Sequence, residues 1–179
     1  MIKHLKGPQG NAFGRADSLK AEIRRAIKQG STFPQLPKIT KSAQIFVAMW
    51  FNDEVMGDVY EQGYKEVING CNFKAERIDE EQFNGSIIAK IYEDIANSRG
   101  LIADLTGNRG GVYFEAGIAR GLMLAKAPMQ VIFTCRKDYF CNPETKPHFD
   151  VSTDNIIVYK DNEDLRAKLT ARIQETILE

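Results

Sequence analysis

From Gln44 onward, short continuous apolar runs alternate with longer stretches in which apolar residues recur every three or four positions. QIFVAMW (44–50) is β-prone and too short for a helix, so it reads as a buried strand. The stretch 52–69, capped by Asn52 or Asp53, places Val55, Val59, Tyr60, Tyr64, Val67 and Ile68 at helical spacing. NFKAERI (72–78) predicts a second strand, and SIIAKIYEDIANS (86–98) a helix with Ile87, Ile88, Ile91 and Ile95 inward. GLIADL (100–105) is a third strand, and VYFEAGIARGLMLAK (112–126) a helix opening near Gly111. MQVIFTC (129–135) and NIIVY (155–159) are strands four and five, separated by a longer loop. A helix over 162–178 closes the chain on Leu165, Leu169, Ile173 and Ile177.

Five short apolar strands joined by helical crossovers predict an α/β fold with a parallel sheet covered on both faces. Right-handed crossovers leave few arrangements, of which 2-1-3-4-5 is the expected strand order. Its switch point lies between strands one and three, where ligands bind at the carboxyl ends of the strands. Residues 1–41 stand apart: a glycine-containing lead, a short helix on Leu19, Ile23 and Ile27, and a linker with Pro34 and Pro37. The α/β domain is therefore expected over 42–179.

Composition narrows the function classes. Lysine plus arginine equal aspartate plus glutamate at 24 each, so no overall charge favours nucleic acid or an anionic membrane. Three cysteines and two histidines without ligand spacing predict neither a disulfide framework nor a metal site. No apolar run has the length of a membrane span, and MIKHLKGPQG lacks a signal-peptide core, so a cytoplasmic protein is expected.

The candidate chemistry lies at the two strand ends that topology nominates. Met49, Trp50 and Phe51 follow the first strand, and such an aromatic pair can wall a planar base or a sugar face. Asp104 ends the third strand, and Gly107, Gly110 and Gly111 permit close backbone approach to a ligand. The helix beyond them would aim free N–H groups at the crevice. Glu115, placed within about its first turn, would be held ionised by the positive helix end, the form a nucleophile needs. Arg77, Asp79 and Glu80, after the second strand, are positioned to reach the same crevice. The glycine loop is neither a dinucleotide fingerprint nor a P-loop.

FVAMWF, ERIDE, the block NGSIIAKIYEDIANSRGLIADLTGNRGGVYFEAGIARGL and HFDVSTDNIIVY together resemble the nucleoside 2-deoxyribosyltransferase-like superfamily, in its bacterial branch bordering TIR-like nucleotide-binding domains. The resemblance covers roughly residues 44–178. It implies a flavodoxin-like three-layer fold and attack of a glutamate, here Glu115, on the anomeric carbon of a nucleoside sugar. It implies that Asp104 holds sugar hydroxyls or orients the nucleophile. Asn108 and Tyr113 would line the sugar or phosphate end, and Met49, Trp50 and Phe51 would contact the base. Arg77 or Asp79 would meet the far end of the ligand, with Asp79 the candidate leaving-base acid. No cofactor is implied, and relatives that complete their sites from a neighbouring subunit point to a homo-oligomer. The chain departs from the family pattern in carrying Trp50 after FVAM and N-R-G-G-V in place of N-P-N-V.

The implied partner is a nucleoside, a nucleotide or an NAD-like molecule. The activities to separate are an N-glycosidase or deoxyribosyltransferase, a TIR-like NAD⁺-cleaving effector, and a non-catalytic nucleotide-binding module. A phosphoacceptor domain using Asp104, Thr134 and Lys160 is disfavoured, because Met49, Trp50 and Phe51 stand where Mg²⁺-binding carboxylates would be needed.

Overall fold

Five parallel strands, β1 (Gln44–Ala48), β2 (Lys74–Glu76), β3 (Gly100–Asp104), β4 (Gln130–Arg136) and β5 (Ile157–Tyr159), form one sheet in the order β2-β1-β3-β4-β5. The strand order is the expected one. The computed structural model describes residues 43–51, 53–78, 87–125 and 127–178. The expected N-terminal segment 1–41, Asn52, Asp79 and Glu80 lie outside the described residues.

Burial along β1 and β3 is continuous, but alternate side chains enter different layers, as the two-residue period of a strand requires. Ile45 and Val47 join Tyr60, Tyr64, Leu165, Leu169 and Ile173 on one face. Phe46 and Ala48 join Ile91, Ile95, Val112 and Ala116 on the other. The first layer is built by α1 (Glu54–Asp58), a π-helical segment (Val59–Lys65), α2 (Glu66–Gly70) and α6 (Asn162–Thr176). The second is built by α3 (Ile87–Asn97) and α4 (Gly110–Leu124), with a short α5 (Lys137–Phe140) following β4. Asp53 and Asp161 cap α1 and α6, accepting bonds from Met56 N and Asp164 N at 3.0 and 2.8 Å.

Three local features differ from the pattern reading. Ile87 and Ile88, expected inward on α3, are exposed in its first turn, and Ile91 and Ile95 carry its buried face. β2 and β5 are three residues each, shorter than the apolar runs that announced them. The expected continuous α-helix over 52–69 is interrupted by seven residues of π-helix. The wider turn sets both Tyr60 and Tyr64 fully inside the core. Gly63, within it, lies so close to α6 that a Cβ there would stand 2.8 Å from Leu165 Cδ2. Among the described residues, no helix is long and apolar enough to cross a membrane.

Candidate functional site

The carboxyl end of β1 releases the chain into Met49, Trp50 and Phe51. The carboxyl end of β3 releases it into a tight turn before α4. In that turn Gly107 and Asn108 are both left-handed, with φ of 77° and 50°. Glycine adopts this region without penalty, and asparagine is among the few other residues that do so readily. Gly107 also lies directly against the indole, since a Cβ on it would come within 2.9 Å of Trp50 Cε3. Gly107→Ala is therefore expected to cost about 1–2 kcal/mol in the backbone alone and to displace Trp50. Urea unfolding together with tryptophan fluorescence measures both effects, and an unchanged emission maximum would show that the indole does not depend on this contact.

Between these two strand ends lies a cavity of about 340 Å³. Its described lining runs from the end of β1 through Met49, Trp50 and Phe51 to Ile78, Asn108, Arg109 and the first turns of α4, and includes Glu115. Met49 is nearly buried, and Phe51 is 41% exposed at the surface. The Arg109 guanidinium lies 5.1 Å from the centre of the Trp50 ring, a cation–π contact. Arg109 is also the N-cap residue of α4, but its side chain makes no capping bond. Of its first N–H groups, that of Val112 donates to Arg109 O at 3.0 Å, while the helix itself provides no acceptor for those of Gly110 and Gly111.

Glu115 is the one carboxylate among the cavity's described lining residues. It is half-buried, and burial pushes its carboxyl up from 4.5 to about 7. This reverses the expectation of a carboxylate held ionised by the helix end. The helix begins at Gly110, so Glu115 sits in its second turn. The dipole's influence fades within the first turn, and loss of solvation outweighs it. At neutral pH the group exists in both protonation states.

Asp104 is fully buried and is not among the cavity's lining residues. Its Oδ2 accepts hydrogen bonds from Tyr64 Oη at 2.6 Å and Tyr159 Oη at 2.7 Å. Its Oδ1 accepts from Thr106 N at 2.9 Å. Tyr64 Oη also lies 2.6 Å from Thr134 Oγ1, and since its own proton is committed to Asp104, the threonine is the donor. Burial first, and then the charge of Asp104, raise the pKa of both phenols. These donors hold Asp104, expected to hold sugar hydroxyls or orient the nucleophile, within the core as an internal hydrogen-bond anchor away from the cavity wall. Thr106 extends the anchor by accepting a bond from Arg136 N at 3.0 Å.

Other expected contacts are also redirected. Arg77 stacks on Tyr60, 3.9 Å from its ring centre, on the α1/α6 side of the sheet, and does not line the cavity. Asn108 lines the cavity, but its amide is engaged: Nδ2 donates to Lys146 O and Oδ1 accepts from Tyr113 Oη, at 2.9 and 2.8 Å. Tyr113 Oη in turn accepts from His148 N at 2.9 Å. The pair thus fastens the 141–148 loop to the glycine turn, and Tyr113 does not itself line the cavity. Removing that phenol oxygen with Tyr113→Phe is expected to cost about 1 kcal/mol and to speed amide exchange at His148. Unaltered exchange there would mean that the loop is held by other contacts.

Three participants carried no assigned role in the sequence pattern. Arg109 and Ile78 line the cavity, and Tyr159 completes the Asp104 anchor. An arginine directly before a glycine-opened helix was the one legible signal. Ile78 and Tyr159 looked like ordinary strand residues. Compared with known proteins, the chain matches no family model and no curated sequence.

Proposed function

We propose that this protein cleaves the N-glycosidic bond of a nucleoside or nucleotide, with Glu115 as nucleophile. The observation that carries the reading is a half-buried glutamate sharing one cavity with an aromatic pair at the sheet's switch point. Trp50 and Phe51 offer faces for a planar base. The Glu115 carboxylate offers an oxygen for a carbon that develops oxocarbenium character.

In the first step a Glu115 oxygen bonds to the anomeric carbon as the bond to the base nitrogen breaks. The base leaves with that electron pair and takes a proton from water. In the second step water oxygen attacks the same carbon, the sugar–glutamate ester breaks, and the carboxylate is restored. The released proton neutralises the hydroxide left by the first step, so the sum is substrate plus water giving base plus free sugar. A second base in place of water would make the reaction a transfer.

The cavity volume bears on the competing NAD⁺ reading. About 340 Å³ is near the lower end of small-molecule sites. It suits a mononucleotide better than a whole dinucleotide. The test is incubation of the full chain with deoxynucleosides, their monophosphates and NAD⁺, followed by chromatography for free base or nicotinamide. Base release that disappears in Glu115→Gln supports the reading. Equal release by that variant would eliminate the mechanism, and nicotinamide release alone would favour the NAD⁺-cleaving alternative.

A further inference from the structure

We propose that the outward face of α4 is a self-association surface, occupied by the same face of a second copy of this chain about a two-fold axis. The inference is independent of the glycosidic-bond reading. The resemblance implies an oligomer without naming a face, and the exposure, shape and charge of α4 name one.

The first observation is what α4 presents to solvent. It buries Val112, Ala116, Ala119 and Leu122. Its opposite side presents Phe114, Gly117, Ile118, Gly121 and Leu124, all exposed except Ile118, which is half-buried. A surface helix ordinarily turns charged residues outward, as α6 does with Glu163, Lys168 and Glu175. The two charged side chains of α4 lie off this face: Glu115 lines the cavity, and Arg120 pairs with Asp154. The patch continues onto α3 through Tyr92, whose ring centre lies 6.2 Å from that of Phe114, and Ile88 one turn before it.

The second observation is the area. Leu124 is 80% exposed, Phe114 49%, Tyr92 46% and Ile88 43%. At about 200 Å² for each such side chain when bare, and with Gly117, Ile118 and Gly121 added, the patch offers about 600 Å². That is the upper end of what a typical monomer exposes. Two copies would bury about 1,200 Å², the lower end for a specific, stable pair.

The third observation is the shape. Neither Gly117 nor Gly121 has a positive φ, and a Cβ on either would meet nothing within 4 Å. Glycine weakens a helix interior, and neither backbone conformation nor packing within the chain requires it at these positions. What it allows is close approach from outside. A second copy crossing antiparallel about Gly117 and Ile118 would set Phe114 of each chain over Gly121 of the other, bulk against gap. A two-fold axis also brings each residue near it close to its own copy, so a face free of charge suits an identical partner.

Sedimentation velocity of the full chain over about 1–100 μM, the range expected for a pair of this size, tests the proposal. A reversible monomer–dimer equilibrium is expected. Gly117→Glu enters open space on an exposed helix turn, so the monomer should stay folded, with its unfolding temperature in dilute solution unchanged or raised. Its dimer dissociation constant is expected to rise at least about tenfold, because two carboxylates would meet near the axis. Leu124→Glu should act in the same direction. Leu178→Glu, at an exposed apolar position on the α2/α6 side of the sheet, should leave association unchanged. A wild-type chain that stays monomeric throughout, a dimer indifferent to both α4 substitutions, or equal weakening by Leu178→Glu would each overturn the inference. A monomeric wild-type chain that cosediments with phosphatidylcholine vesicles would assign the face to a lipid surface and overturn it as well.

Discussion

Glu115→Gln is expected to abolish base release while making the protein more stable above neutral pH. Glutamine retains the shape of the side chain but has no anionic oxygen to attack carbon, so turnover should fall by at least about 10³-fold. The stability gain follows from the displaced ionisation. The carboxyl titrates near 4.5 when unfolded and near 7 in the folded protein, because burial disfavours the charged form. Between these values the folded state binds the proton more strongly, so wild-type stability declines as pH rises through that window. Below 4.5 both states are protonated and nothing is lost. Above 7 the folded chain carries the full cost of a desolvated charge, about 2–3 kcal/mol. The glutamine variant escapes that cost, so its advantage should grow from pH 4.5 to 7 and then level off. Urea unfolding of both proteins at pH 4.5, 6 and 8 measures it. Parallel stability curves would show that Glu115 is not desolvated as the structure places it. The same ionisation predicts wild-type base release rising about tenfold per pH unit below 7 and flattening above it. Stability and proposed activity thus pull on one carboxyl in opposite directions.

Asp104→Ala is expected to cause the largest loss of stability, about 3–5 kcal/mol. The substitution removes the acceptor of two phenols and one backbone N–H, all within a site that excludes water. Tyr159 Oη and Thr106 N lose their acceptor and bear a desolvation penalty, while Tyr64 Oη keeps Thr134 Oγ1 at 2.6 Å. Asp104→Asn keeps the shape and part of the accepting capacity, so it should cost less than alanine. It should also lower the pKa of Tyr64 and Tyr159, because the Asp104 charge helps to raise both. Equilibrium unfolding and ultraviolet titration of the tyrosines follow these effects. An alanine variant destabilised by less than about 1 kcal/mol, yet inactive, would return Asp104 to the reacting site and contradict the anchoring role. Any loss of activity in a folded asparagine variant should instead be traceable to displacement of the Thr106–Gly107–Asn108 turn.

The fold was legible because its main signals are local. Continuous apolar runs in β1, β3 and β4 and the three-to-four spacing in the helices reflect burial that each segment achieves whatever its neighbours are. Handedness rules then leave little freedom in strand order. The shortness of β2 and β5 was not legible, since pairing ends where the neighbouring strand diverges rather than where apolarity stops. The π turn was hidden for a related reason. Tyr60 and Tyr64 fit α-helical spacing equally well, and only packing against α6 and the Asp104 anchor selects the wider turn.

The candidate site divides along the same line. Sequence alone determined which strand ends would meet, and so placed Met49, Trp50, Phe51, Asn108 and Glu115 at one crevice, because strand order depends on chain-wide regularities that local patterning records. Tertiary structure alone decided which side chains face the cavity and in what charge state. It turned Asp104 inward to two phenols and sent Arg77 to Tyr60. It engaged Asn108 and Tyr113 with a distant loop, left Arg109 on the cavity wall, and moved the Glu115 carboxyl to about 7. Most of these outcomes depend on partners and lost solvation contributed by other segments of the fold, and no local pattern of apolar and polar positions encodes them.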